Sequence, residues 1–229
     1  MKFKPSYTSS IAEDIMAERL IRAQAVEFLA DAPMRLKSGL ISPVYVDNRK
    51  LFSHPEAWRD IVETMASRVE EYDLVFDIVA GVEAAGSMHA AALAYRLGLP
   101  AIMVRQKAKT YGNHSRIEGG DVKGMRVLLL EDHISTGLSC LDAIRALRGE
   151  GAQVTQVMSI TNYAIPETQR LFKQEGIDTY DVIAFEKVVR KAKEMGVIDD
   201  EHEKLVLEWL QTPWTWAAMH GVVASAIEN

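Results

Sequence analysis

The apolar run Val127-Leu128-Leu129-Leu130 constrains this chain more than any other stretch. An unbroken run of this kind reads as a strand buried on both faces, which implies a parallel sheet covered by helices. Two acids, Glu131 and Asp132, follow at once. Then comes a short polar loop, His133-Ile134-Ser135-Thr136-Gly137, and Ser139 leads into a helical pattern. A strand that stops at Ser, Thr and Gly just before a helix presents unpaired backbone N–H groups, which suit a phosphate. Acids at the carboxyl end of such a strand sit on the rim where α/β sheets take ligands. Together they suit a phosphorylated sugar, with hydroxyls and backbone for the phosphate and carboxylates for the sugar hydroxyls.

The surrounding chain alternates in the way such a sheet requires. Strands are expected over 74–80, 100–104, 154–160 and 181–185, in addition to the central run. Helices are expected over 87–97, stopped by Gly98, over 138–148, and from Pro166 near its first position. The segment 81–86 reads as a loop and 105–123 as a long polar loop. This alternation predicts a parallel sheet flanked by helices. Ahead of it, Ser10 and Glu13 form a capping-box pattern and apolar spacing predicts a helix over 11–30. Val44-Tyr45-Val46 reads as a short strand, and Ser53 with Glu56 as a second capping box opening a helix to residue 72. The tail from Glu186 is charged and helical, with Trp209, Trp214 and Trp216 expected to cover the core.

The chain has 229 residues, enough for one sizeable domain, and 48% of them are hydrophobic, enough to fill a core. A net charge of −6 argues against a general nucleic-acid or membrane-surface role. The single cysteine, Cys140, allows no internal disulfide and is expected to pack as a small apolar group. Six histidines without metal-ligand spacing predict no protein-bound zinc. With no secretory or membrane-spanning segment read from the sequence, the cytoplasm is the expected location.

The motif Val-Leu-Leu-Leu-Glu-Asp-His-Ile-Ser-Thr-Gly-Leu-Ser over 127–139 resembles the phosphoribosyl-pyrophosphate (PRPP) motif of type I phosphoribosyltransferases. That resemblance implies that Glu131 and Asp132 contact the ribose hydroxyls, and that Ser135, Thr136, Gly137 and Ser139 hold the 5′-phosphate. A second segment, Arg105-Gln106-Lys107-Ala108-Lys109-Thr110-Tyr111-Gly112 with Ile117-Glu118-Gly119, resembles the flexible catalytic loop of orotate phosphoribosyltransferases. It makes Lys109 the main catalytic cation, and Arg105 and Lys107 PRPP ligands. A third, Lys37-Ser38-Gly39-Leu40-Ile41-Ser42-Pro43-Val44-Tyr45-Val46-Asp47-Asn48-Arg49, resembles the orotate subfamily's signature and assigns Lys37 and Tyr45, with Ser135, to the base.

By motif the resemblance spans 37–167. It implies a type I phosphoribosyltransferase fold in a single domain over 1–229: a small N-terminal hood over 1–52, a core sheet over 73–185 and a helical tail over 186–229. It also implies transfer of phosphoribosyl from PRPP to orotate, in pyrimidine (UMP) biosynthesis. Mg²⁺ would be held through PRPP rather than by direct protein ligands. The implied assembly is a homodimer whose lid loop crosses to the neighbouring site. Three positions depart from the pattern: Gln106 stands for Lys, Ala85 for a Lys of some relatives, and Thr161-Asn162-Tyr163 lacks a base-contacting Arg. They keep open a transferase for another base, or a non-catalytic PRPP-binding regulator.

Overall fold

The computed structural model describes residues 9–107 and 115–222. Its centre is a six-stranded sheet in the order β10-β9-β8-β5-β6-β7. The strands are β5 (Ile78–Val82), β6 (Ala101–Val104), β7 (Ile117–Glu118), β8 (Arg126–Ile134), β9 (Gln153–Asn162) and β10 (Asp178–Ala184). All neighbours pair parallel except β7, which runs antiparallel to β6 at one edge.

Side chains of β8 alternate between two cores. Leu128 and Leu130 join the larger one, beneath α1 (Ser9–Arg22), α2 (Pro55–Glu71), α3 (Ala85–Leu97), α6 (Phe185–Glu194) and α7 (Asp200–Gln211). Val127 and Leu129 join the other, beneath α4 (Leu138–Gly149) and α5 (Pro166–Gln174). A strand with helices on both faces has no polar side, which is why its sequence is an apolar run rather than an alternation. Before the sheet, β1 (Val26–Phe28) pairs antiparallel with β4 (Val44–Val46), and β2 (Met34–Arg35) with β3 (Ile41–Ser42), forming a small cap. A short helix α8 (Trp216–Met219) ends the described chain. No helix among the described residues is long and apolar enough to cross a membrane.

Several local expectations are corrected. The helix expected over 11–30 ends at Arg22, because Gln24 adopts a left-handed φ of 54° and Val26 then pairs with Val46. The Glu13 carboxylate pairs with Arg68 at 2.8 Å and with Lys187. Ser53 ends a 3₁₀ turn over Asn48–Ser53 and donates to the Lys50 carbonyl, so α2 starts from His54 without a side-chain cap. The strand expected over 74–80 lies at Ile78–Val82, and the loop expected over 105–123 contains β7. The last strand starts three residues earlier than expected, and Phe185 belongs to α6. Trp209 and Trp216 are fully buried as expected, but Trp214 is 54% exposed.

Candidate active site

The chain leaves β5 outward to β6 and returns on the other side of β5 to make β8. Such a reversal opens a crevice at the carboxyl ends of the strands. Three connections meet there: Glu83-Ala84 after β5, the segment after β6, and Ser135-Thr136-Gly137 after β8. The first is drawn tight against the sheet. A Cβ on Gly86 would lie 2.7 Å from the Leu130 carbonyl, so only glycine lets α3 start there.

β8 does not stop before its acids. It continues through them to Ile134, pairing Glu131 with Ser159 and His133 with Thr161 of β9. Alternation gives the two carboxylates different surroundings, although they remain within hydrogen-bonding reach of each other. Glu131 turns toward α4, 6% exposed, where Ser139 Oγ donates to it at 3.0 Å and the Asp132 N–H at 3.3 Å. Asp132 stays half-buried, and its carbonyl accepts from Asn48 Nδ2 at 2.7 Å. Burial, and then the neighbouring Asp132 charge, push the Glu131 carboxyl well above the usual range. Burial also raises Asp132, against hydrogen bonds that favour its ionised form.

The loop after β8 is shaped for an anion. Gly137 holds φ 73° at the helix boundary, and a Cβ there would meet Thr168 Cγ2 at 2.9 Å and the Phe172 ring at 3.0 Å. The first turn of α4 has no side-chain cap, which leaves its N–H groups facing outward, and the buried Ser135 hydroxyl has no partner.

From this loop a cleft of about 550 Å³ runs toward the N-terminal cap. Its walls include Lys37, Tyr45, Arg105, Lys107, Ser135, Thr136, Gly137 and Ser139, so residues from the three sequence segments singled out above meet in one place. Lys37 is exposed on the turn between β2 and β3, and Tyr45 projects from β4 while Val44 and Val46 are buried. Glu131 and Asp132 lie at the carboxyl end of β8, beside rather than among the lining residues. Lys109 lies outside the described residues.

At the stem of the segment after β6, Arg105 pairs with Glu118 at 2.8 Å and Arg116 with Asp142 of α4 at 2.5 Å. The Arg105 N–H donates to the Arg116 carbonyl at 2.8 Å, closing a two-stranded base.

A phosphoribosyl transferase domain model matches residues 47–194. An orotate phosphoribosyltransferase of Coxiella burnetii is 41% identical over 88% of this chain and 96% of its own length. The chain belongs to the orotate phosphoribosyltransferase family.

Solved structures agree. The orotate phosphoribosyltransferase of Aeropyrum pernix superposes with a TM-score of 0.68 at 26% identity, over 80% of this chain and 99% of that one. The Mycobacterium tuberculosis family member, solved in complex with PRPP, gives 0.60 at 26% identity over 77% of this chain and 98% of its own. The expected fold class is therefore observed: the type I phosphoribosyltransferase sheet, flanked by helices.

Some residues in and behind the cleft went unread in the sequence. Asn48 donates to both the Asp132 carbonyl and Thr161 Oγ1, tying the N-terminal cap to β8 and β9. His133 lines the cleft edge-on to Tyr163, with ring centroids 4.2 Å apart, and its Nδ1 contacts Thr161 Oγ1 at 2.9 Å. Burial lowers that imidazole to about 3, so it is neutral at ordinary pH. Tyr163, in the Thr161-Asn162-Tyr163 segment that lacks the arginine of some relatives, donates its hydroxyl to the Val44 carbonyl at 3.3 Å and braces the wall. His133 was visible inside the PRPP motif, but reading 133–137 as loop hid its strand alternation. Cys140 is fully buried, and its thiol points at Glu131 Oε2 at 3.8 Å.

Proposed function

We propose that this chain transfers the phosphoribosyl group of PRPP to orotate, releasing diphosphate and forming orotidine 5′-monophosphate in pyrimidine biosynthesis. The observation that carries the reading is the single cleft whose ends differ in chemistry. One end is the Ser135–Ser139 loop at an uncapped helix start, suited to the 5′-phosphate. The other has Lys37 and Tyr45 beside apolar walls, suited to a flat anionic base. Asp132 and Glu131, at the carboxyl end of β8 beside this cleft, serve as acceptors for ribose hydroxyls.

In this reading Arg105 and Lys107 meet the diphosphate, and Lys37 offers charge to the base. Lys109, assigned by the family resemblance, neutralises charge that builds on the leaving diphosphate as the ribose becomes oxocarbenium-like. Mg²⁺ would take its ligands from PRPP oxygens and water rather than directly from the protein. When bound, Mg²⁺ supplies further neutralisation of the diphosphate. Among the described residues no group of three or more His, Cys, Asp or Glu is placed to hold a metal ion. The chain acts as one domain over 1–229, in the cytoplasm, as a homodimer whose loop from Arg105 reaches the neighbouring site.

Ultraviolet absorbance of orotate, mixed with the protein, PRPP and Mg²⁺, tests this. Loss of orotate absorbance is expected. PRPP binding without turnover of orotate or any other base would assign the chain instead to PRPP sensing.

A further inference from the structure

The diphosphate side of the cleft carries an acid that no motif assigns a role. Glu83 sits in the tight connection after β5. Its N–H donates to the Val104 carbonyl at 2.9 Å, its side-chain Oε2 accepts the Gln106 N–H at 3.0 Å, and its carbonyl accepts Gln106 Nε2 at 3.2 Å. Gln106 itself lines the cleft. Two of these hydrogen bonds fix the Glu83 backbone and the third, from the Gln106 N–H, holds its carboxylate at the foot of the segment that bears Arg105 and Lys107. Arg105 stands among acids: Glu118 hydrogen-bonds it and holds its guanidinium above its ordinary pKa, and the Glu83 charge acts in the same direction. One main-chain N–H that could face an anion is taken by Glu83.

We propose that Glu83 sets the affinity of the diphosphate end: its fixed negative charge competes with the anionic ligand for Arg105, and Gln106 holds it in place. The inference rests on the PRPP reading above and deepens it. Its physical basis is direct. A fixed carboxylate near a bound polyanion raises the ligand's free energy in proportion to its charge, and this cost falls with added salt. Gln106 accordingly belongs with Glu83. A lysine at 106 would be within reach of the Glu83 carboxylate before it reached any ligand, so the cation would be neutralised within the protein.

Titration calorimetry of the full chain with Mg-PRPP, and separately with inorganic diphosphate and Mg²⁺, tests the assignment. Glu83→Gln keeps an oxygen acceptor for the Gln106 N–H while removing the charge. It should tighten both ligands roughly three- to tenfold at low salt. The gain should shrink toward nothing at high ionic strength. Gln106→Lys alone should change affinity by less than about twofold, whereas Gln106→Lys with Glu83→Gln should tighten binding by more than the product of the two single effects. Unchanged or weaker binding in Glu83→Gln, a gain indifferent to salt, or a large gain from Gln106→Lys alone would each overturn the proposal while leaving the transferase reading intact. A wild-type chain that binds no PRPP would overturn that reading first, and this inference with it.

Discussion

Glu131 pairs function with instability. A carboxyl buried to 6% exposure beside another acid resists ionisation, yet the proposed role asks it to accept from sugar hydroxyls. With its folded pKa raised above the unfolded value, the native chain binds more protons than the unfolded one between those two values. Stability contributed by this group is present at low pH and declines as pH rises through that window. Glu131→Gln removes that loss, and Ser139 Oγ can turn to accept from the new amide. The variant should melt higher at neutral pH, by ~2–4 °C for each kcal/mol regained. It should also bind Mg-PRPP more weakly, and Asp132→Asn with it more weakly still. Thermal melting and calorimetric titration across pH check both signs. For the wild type, Mg-PRPP affinity should fall as pH is lowered and the pair gains a proton; an affinity flat in pH would remove these acids from ligand contact.

The α4 start depends on one backbone position. Gly137 combines a left-handed φ of 73° with side-chain atoms of Thr168 and Phe172 at 2.9–3.0 Å from any added Cβ. Both costs fall on Gly137→Ala: the left-handed conformation at ~1–2 kcal/mol and overpacking at ~1–3 kcal/mol. A melting temperature lowered by several degrees is expected, together with weaker PRPP binding, because the N–H groups of the loop shift with it. A variant with native stability would mean that α5 gives way easily. The tail helix α7 supports the opposite wall. Trp209 Nε1 donates to the Ile41 carbonyl at 2.8 Å, and its ring meets Tyr163 with centroids 4.9 Å apart. Trp209→Phe keeps most of the apolar contact but leaves a carbonyl unpaired, a cost of ~1–3 kcal/mol. The KM for orotate should rise more than that for PRPP in steady-state assays.

For the whole molecule, the proposed crossed-loop homodimer has a direct test. Lys109→Ala should lower kcat on the order of 10²–10³-fold, the scale for losing one group that meets developing charge. Mixed with a nearly inactive Asp132→Ala variant and reassociated, half the dimers should be hybrids. In each, one site collects both lesions and the other neither, so activity should recover toward roughly a quarter of the wild type. Hybrids that form without recovery would confine each loop to its own chain. How much of this molecule could be read in advance follows from the range of the interactions involved. The sheet and its helices were legible because burial on two faces leaves an unbroken apolar run, and helix stops such as Gly98 are local chemistry. The loop after β8 was legible because a tight turn before a helix demands Gly137 whatever surrounds it. Pairing and packing were not. Continuation of β8 through its acids depends on β9 lying alongside, and the break in the first helix on Val46 waiting for Val26. Engagement of Gln106 by Glu83, and of Asn48 by β8 and β9, joins residues 23 to 113 positions apart. Local pattern therefore determined which segments form the site, and only the tertiary fold decided which of their charges face one another.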